Sequence, residues 1–224
     1  MPNGPLTLPA RLFLLAWDTD RRVVAEPARL PPLVRAGALT ELARRGLLTD
    51  DDGIATPVDL DSRTGDAVLD GLLELVSESC PHRWHAWVTL RARHTFDAVR
   101  EQLVAEGLLR ARRRRVLGVF PSVEYALDGV ARAAALQEGA RDLLDGTRPV
   151  AGTPRTEADV ALLGAVAGLR TLSPRHDRAG HERRVEELLA APASLPAAPV
   201  LREIVRGLRT AVPAAPAPSL APGA

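Results

Sequence analysis

The chain contains no lysine: all 29 of its basic residues are arginine. Alanine, leucine, proline and valine fill much of the remainder, as a coding sequence rich in G and C would dictate, so arginine abundance alone carries little functional weight. Cysteine is nearly absent. The single Cys80 excludes an intramolecular disulfide and fits a reducing compartment, so a cytoplasmic location is expected. No apolar run can span a bilayer, the longest being residues 12–17, and no basic segment followed by an apolar one opens the chain as a signal peptide would. A membrane, if met at all, is met from the side. An excess of one charge is also missing: 29 basic against 28 acidic residues leave a net charge of +1, so any basic surface must be local.

Catalytic signatures are lacking too. There is no G-x-S-x-G, G-x-x-x-x-G-K-[ST], H-E-x-x-H or G-x-G-x-x-G. Cys80, His82 and His85 lack a fourth zinc ligand at the usual spacing, and Asp50, Asp51 and Asp52 lack the alternate spacing and closing Glu of a calcium loop, which leaves them to turn chemistry. His176 and His181 belong to a polar, arginine-rich surface. The expectation is a non-enzymatic protein with no cofactor and no metal.

What is present is helix. With 224 residues, 46% of them hydrophobic, the chain can bury a substantial core. Apolar residues at helical spacing predict helices over residues 7–17, 31–46, 64–77, 84–90, 95–106, 126–144, 156–172, 176–190 and 196–211. The 156–172 segment is apolar nearly all round, which places it inside a bundle. Thr64 is the candidate N-cap of its helix. Residues 23–25 suit a short strand. Residues 47–49 and 54–56 flank an Asp-Gly step that favours a tight turn. The predicted architecture is mainly α, a single-domain multi-helix bundle of about eight helices with two small β-hairpins over residues 6–212. A Pro/Ala-rich tail, 213–224, is expected to be disordered. No repeat of 20–50 residues marks a solenoid.

Residues 92–121 organise the function. Phe96, Val99, Leu103 and Val104 give one apolar helix face, Gly107 ends the helix, and Arg110, Arg112, Arg113, Arg114 and Arg115 run into Val116, Leu117, Gly118, Val119 and Phe120. Guanidinium groups beside apolar side chains suit either nucleic-acid phosphates or an anionic bilayer surface. The plainer alternative is a solvated turn followed by core strand.

The order of elements resembles the Golgi phosphoprotein 3 family: residues 6–15, LVRAGALTELARRGLL at 33–48, TGDAVLDGLLELV at 64–76, FDAVREQLVAEGLL at 96–109, VLGVFP at 116–121, then TEADVALLGAVAGL and ERRVEELLA. The resemblance spans most of the chain, and the composition suggests a bacterial, actinobacterial member. It implies an all-helical, non-enzymatic peripheral membrane protein that binds phosphatidylinositol 4-phosphate and acts as an adaptor for protein cargo. In that family a tryptophan and several arginines hold the headgroup beside a hairpin that dips into the bilayer. Carried over, Arg35 and Arg93 match two headgroup arginines. The third arginine position falls on Phe96 and the tryptophan position on Glu26, so the particular headgroup does not carry over.

The resulting expectation is a protein that docks reversibly on anionic, phosphoinositide-like lipid through Arg35, Arg93 and a hairpin of Arg112, Arg113, Arg114, Arg115, Val116 and Leu117. Four arginines at ~1 kcal/mol each give only about millimolar affinity; inserting two apolar side chains at ~1.5–3 kcal/mol each brings it to about micromolar as an upper limit. Two other classes compete. A helix followed by a basic wing imitates a DNA reader, but the near-neutral charge and the carboxylates Asp97, Glu101 and Glu106 oppose it, so no nucleic acid is expected. An interaction module without lipid binding is the third.

Overall fold

Pro9 sits in the first turn of helix α1 (Leu8–Leu15), where its missing N–H costs nothing, and every residue of the helix except Arg11 is buried. Helix α2 (Leu30–Arg44) lies against it, with eleven of its fifteen residues buried. Gly37 permits that contact: a Cβ there would stand 2.5 Å from Leu12 Cδ1 and 3.3 Å from the Pro9 backbone. These two helices form the centre of the computed structural model, which describes residues 5–116, 120–173, 178–190 and 197–212, the side chains of 114–116, 120–122 and 197 excepted.

Around the centre lie α3 (Ala67–Glu78), α4 (Trp84–Trp87), α5 (Ala92–Ala105), α6 (Val130–Leu144), α7 (Arg155–Val166), α8 (Arg178–Ala190) and α9 (Ala197–Ala211). The mainly α expectation holds, with nine helices among the described residues. Buried side chains from Leu6 to Val212 form one core cluster. The 156–172 segment is inside as its composition requires, but Gly168, at φ +65°, breaks it into α7 and a 3-10 turn at Arg170–Leu172.

Among the described residues three antiparallel hairpins are present rather than two. Strands β3 (Leu48–Asp51) and β4 (Ile54–Pro57) close on Asp52 and Gly53, both at positive φ, the conformation that an Asp-Gly turn favours. The Trp84 indole donates to Asp50 Oδ1 at 2.7 Å and pins this hairpin to α4. The additional hairpin pairs β1 (Trp17–Asp18) with β2 (Val23–Val24). It rests on a turn in which Asp18 Oδ1 accepts from the Asp20 and Arg21 amides at 3.1 and 2.8 Å. The third pairs β5 (Leu109–Val116) with β6 (Phe120–Leu127).

Several boundaries differ from the sequence-based expectation: α1 stops at Leu15 because Trp17 enters β1, α4 stops at Trp87, and α5 starts at Ala92 instead of residue 95. Asp66, not Thr64, caps α3, because its carboxylate takes the Val68 and Leu69 amides at 3.0 Å each, while Thr64 turns to Asp70 Oδ1. Residues 126 and 127 belong to β6, where they pair with Arg110 and Leu109, so α6 begins only at Val130.

Candidate functional site

Arg35 stands among Leu33, Val34 and Ala36 on α2 and has no exposed surface. Its Nη2 donates to the carbonyl of Arg91 at 2.8 Å. Its Nε and Nη1 are buried without a hydrogen-bond partner, an arrangement that costs about 1–3 kcal/mol for each donor. No carboxylate pairs with it among the described residues. Burial alone lowers its pKa from the ordinary arginine value to about 10. A buried cation without an acid is expensive structure, and groups of this kind concentrate at functional sites.

The carbonyl that Arg35 holds is the first of α5. Arg91 adopts a left-handed conformation at φ +49° and its carbonyl also accepts from the His94 amide at 3.0 Å. Arg91, Arg93 and His94 are exposed, and no acidic residue occupies the first turn. The structure therefore brings Arg35 and Arg93 to the same helix end, one beneath it and one outside. Basic side chains at the positive end of a helix dipole raise the local potential, and an anion relieves it.

One turn further along, Phe96 stacks on Phe13 at 5.4 Å between ring centroids. The guanidinium carbons of Arg93 and Arg100 stand 5.2 and 5.4 Å from its centroid, and Asp97 pairs with both arginines, at 3.6 and 2.8 Å. Phe96 thus serves the core at the position where the resemblance would put an arginine. Glu26, at the tryptophan position, is engaged elsewhere: it pairs with Arg170 Nε at 2.9 Å and accepts the Arg170 amide at 3.2 Å.

The base of the β5–β6 hairpin is anchored to the bundle. Leu109 is buried, and Arg100 lies over the Tyr125 ring at 4.5 Å. Arg110 forms a two-pronged pair with Asp128, through Nε at 3.0 Å and through Nη2. That hydrogen bonding holds the Asp128 carboxyl below the usual range and Arg110 above it. Beyond the root, Arg112 and Arg113 are exposed, and Val123, directly opposite Arg113, is 47% exposed. The backbones of Arg114, Arg115 and Val116 continue β5, paired with Ser122, Pro121 and Phe120, but their side chains, and all of Leu117, lie outside the described residues.

Sequence reasoning gave no site role to Arg91, Arg100 or Tyr125. The last two carried a signal, since Arg100 stands four residues after Phe96 on one helix face and Tyr125 is the chain's only tyrosine. Other candidates are occupied: His82 packs against Trp87 and His85 pairs with Glu203 at 3.3 Å, while His176 lies outside the described residues.

Among curated proteins none matches the chain. No helix among the described residues is long and apolar enough to cross a membrane. The model of the Golgi phosphoprotein 3 (GPP34) family matches residues 8–208, which include α1, both strands of the basic hairpin and nearly all of α9, and the chain belongs to that family.

Proposed function

We propose that this protein is a non-enzymatic peripheral membrane protein that docks on anionic, phosphoinositide-like lipid headgroups and serves there as an adaptor for a protein partner. Family membership is consistent with a lipid-binding or adaptor role. The observation that carries the reading is Arg35, a fully buried guanidinium with two unused donor nitrogens and no acidic partner among the described residues, beneath a helix end lined by Arg91 and Arg93. A phosphate at that end meets Arg93 directly and sits at the positive end of the α5 dipole. Arg35 adds its field from below and reaches the anion itself once the Arg91 carbonyl lets go. Exchange of one acceptor for a charged one satisfies donors that are otherwise idle.

The hairpin supplies the second contact. After Gly107 the chain turns into the hairpin, whose base is held to α5 through Tyr125 on Arg100. In this reading Arg112, Arg113, Arg114 and Arg115 meet the headgroup layer, and Val116 and Leu117 insert between lipid chains. Docking of this kind is reversible, since it combines screened charge with only a few buried apolar groups.

Co-sedimentation with vesicles of neutral lipid, of phosphatidylglycerol, and of phosphatidylinositol with and without phosphate is the test, each at low and high salt. Binding to anionic vesicles that weakens with salt and falls when Arg112, Arg113, Arg114 and Arg115 are replaced by serine is expected. Unchanged binding in that variant, or none to any vesicle, would overturn the reading. Selectivity for a phosphorylated headgroup that disappears in Arg93→Ser assigns the α5 end as the headgroup site.

A further inference from the structure

On the side of the bundle formed by α1, α6 and α7 there is an open cleft of about 350 Å³. Its floor is aliphatic and built of small groups: Leu6 before α1, Leu136, Gly139 and Ala140 on α6, and Val160 on α7. Its volume reaches the lower end of the range of roughly 300–1,000 Å³ that holds small ligands.

The rim is cationic. Arg11, Arg132 and Arg148 surround the floor, and the one carboxylate present, Glu157, is already neutralised by Arg148. Arg11 uses its Nε–H on the Leu6 carbonyl at 2.9 Å and has no ion pair among the described residues. Arg132 makes neither a hydrogen bond nor an ion pair there, acting on Glu106 only through space. An aliphatic floor beneath two unpaired guanidinium groups selects for one chemistry, an alkyl chain with an anionic head, and against a cationic or wholly polar ligand.

Gly139 is the third observation. It lies inside α6 at ordinary helical backbone angles, where glycine is the poorest choice after proline. A Cβ built on it meets nothing closer than Arg148 Nη1 at 4.0 Å. Packing against a neighbouring element does not require the missing side chain, in contrast to Gly37 or Gly207. Its absence keeps the cleft open.

We infer that this cleft binds a medium-length alkyl carboxylate or alkyl phosphate, with the chain laid along Gly139 and Leu136 and the head between Arg11 and Arg132. The site is separate from the α5 end and the basic hairpin and does not depend on membrane docking.

Isothermal titration of the full chain with decanoate, as monomer below its micellar concentration, tests the assignment. Decyl phosphate, decanol, decyltrimethylammonium and acetate serve as comparisons. One site is expected for decanoate and decyl phosphate, with the cationic and uncharged chains at least about tenfold weaker and acetate silent. Gly139→Leu should fill the cleft, lose binding by at least about tenfold and melt no lower than the parent. Arg132→Glu should weaken decanoate and not decanol. Absence of decanoate binding, or equal binding of decanoate and decyltrimethylammonium, would overturn the proposal, as would unchanged affinity in Gly139→Leu. If Gly139→Leu does not fold, Arg132→Glu decides, and an unchanged affinity there is equally fatal.

Discussion

The guanidinium carbon of Arg100 stands 4.5 Å from the centroid of the Tyr125 ring, which fastens the basic hairpin to the helix that precedes it. Arg100 also pairs with Asp97 at 2.8 Å and approaches Phe96 at 5.4 Å, so a single side chain links the core aromatic pair, the surface carboxylate and β6. The stack contributes roughly 0.5–2 kcal/mol depending on how fully it is desolvated. In Tyr125→Ala, amides of β5 and β6 should exchange with solvent faster while those of α1 and α2 keep their protection. Tyr125→Phe retains the ring and should restore the parent pattern. Equal protection of the hairpin in all three proteins would show that the stack does not hold it.

Arg35 predicts a separation of stability from binding. The lowering of its pKa to about 10 corresponds to roughly 3 kcal/mol of penalty on the charged form. Because burial disfavours the cation, the penalty applies at all pH values below about 10 and is relieved as pH rises from there toward the ordinary arginine value. At neutral pH, Arg35→Met should therefore melt at the same temperature as the parent or higher, as replacing buried charge with apolar volume often does. Binding to anionic vesicles should meanwhile fall by about fivefold, the equivalent of ~1 kcal/mol for a lost cation. A large drop in melting temperature would mean that the Arg91 carbonyl contact outweighs the burial cost.

Much of this was legible from local pattern. Helices α2, α3, α5 and α9 follow from apolar spacing, and the β3–β4 turn follows from Asp52 and Gly53. The start of α6 is misplaced because the deciding partner lies on another strand, whereas the cap of α3 is settled by competition between two neighbours, Thr64 and Asp66. Ala126 and Leu127 look like the start of an alanine-rich helix until their pairing with Arg110 and Leu109 makes them a strand. β1–β2 has only two residue pairs and depends on the Ala25 amide reaching the Ala16 carbonyl at 2.8 Å. In the site, one arginine amid Leu33, Val34 and Ala36 signals a buried cation, but nothing local says that its partner is a backbone carbonyl fifty-six residues away.

Gly207 allows α9 to lie directly on α4. A Cβ there would stand 2.7 Å from the His85 carbonyl oxygen, 2.8 Å from His85 Cα and 2.9 Å from Val88 Cγ2. Backbone atoms cannot swing aside as a flexible side chain can, so the helices must separate. Gly207→Ala should destabilise by about 1–3 kcal/mol despite the better helix propensity of alanine. Chemical denaturation measures this, and a variant as stable as the parent would refute the close approach.

Asp159 gives a pH signature of its own. It is 1% exposed, with Arg44 at 3.2 Å and Arg155 at 3.5 Å. Burial pushes its carboxyl pKa up, and the two arginines offset only part of that. A carboxyl with a raised folded-state pKa holds its proton in the native protein after the unfolded chain has lost its own. Between the two values the native state binds more protons, and stability falls as pH rises. Other carboxylates, such as Asp70, whose burial is outweighed by hydrogen bonds from Thr64 and Gly65 that lower its pKa, act in the opposite sense. The contribution of Asp159 must therefore be read as a difference between the parent and Asp159→Asn. That difference should favour the parent most at pH values below the ordinary aspartate range, decline as pH rises through the raised value, and stay level above it. Denaturation curves at a series of pH values supply it. If the advantage of the parent instead grows with pH, attraction to Arg44 and Arg155 exceeds the cost of burial and the assigned direction is wrong.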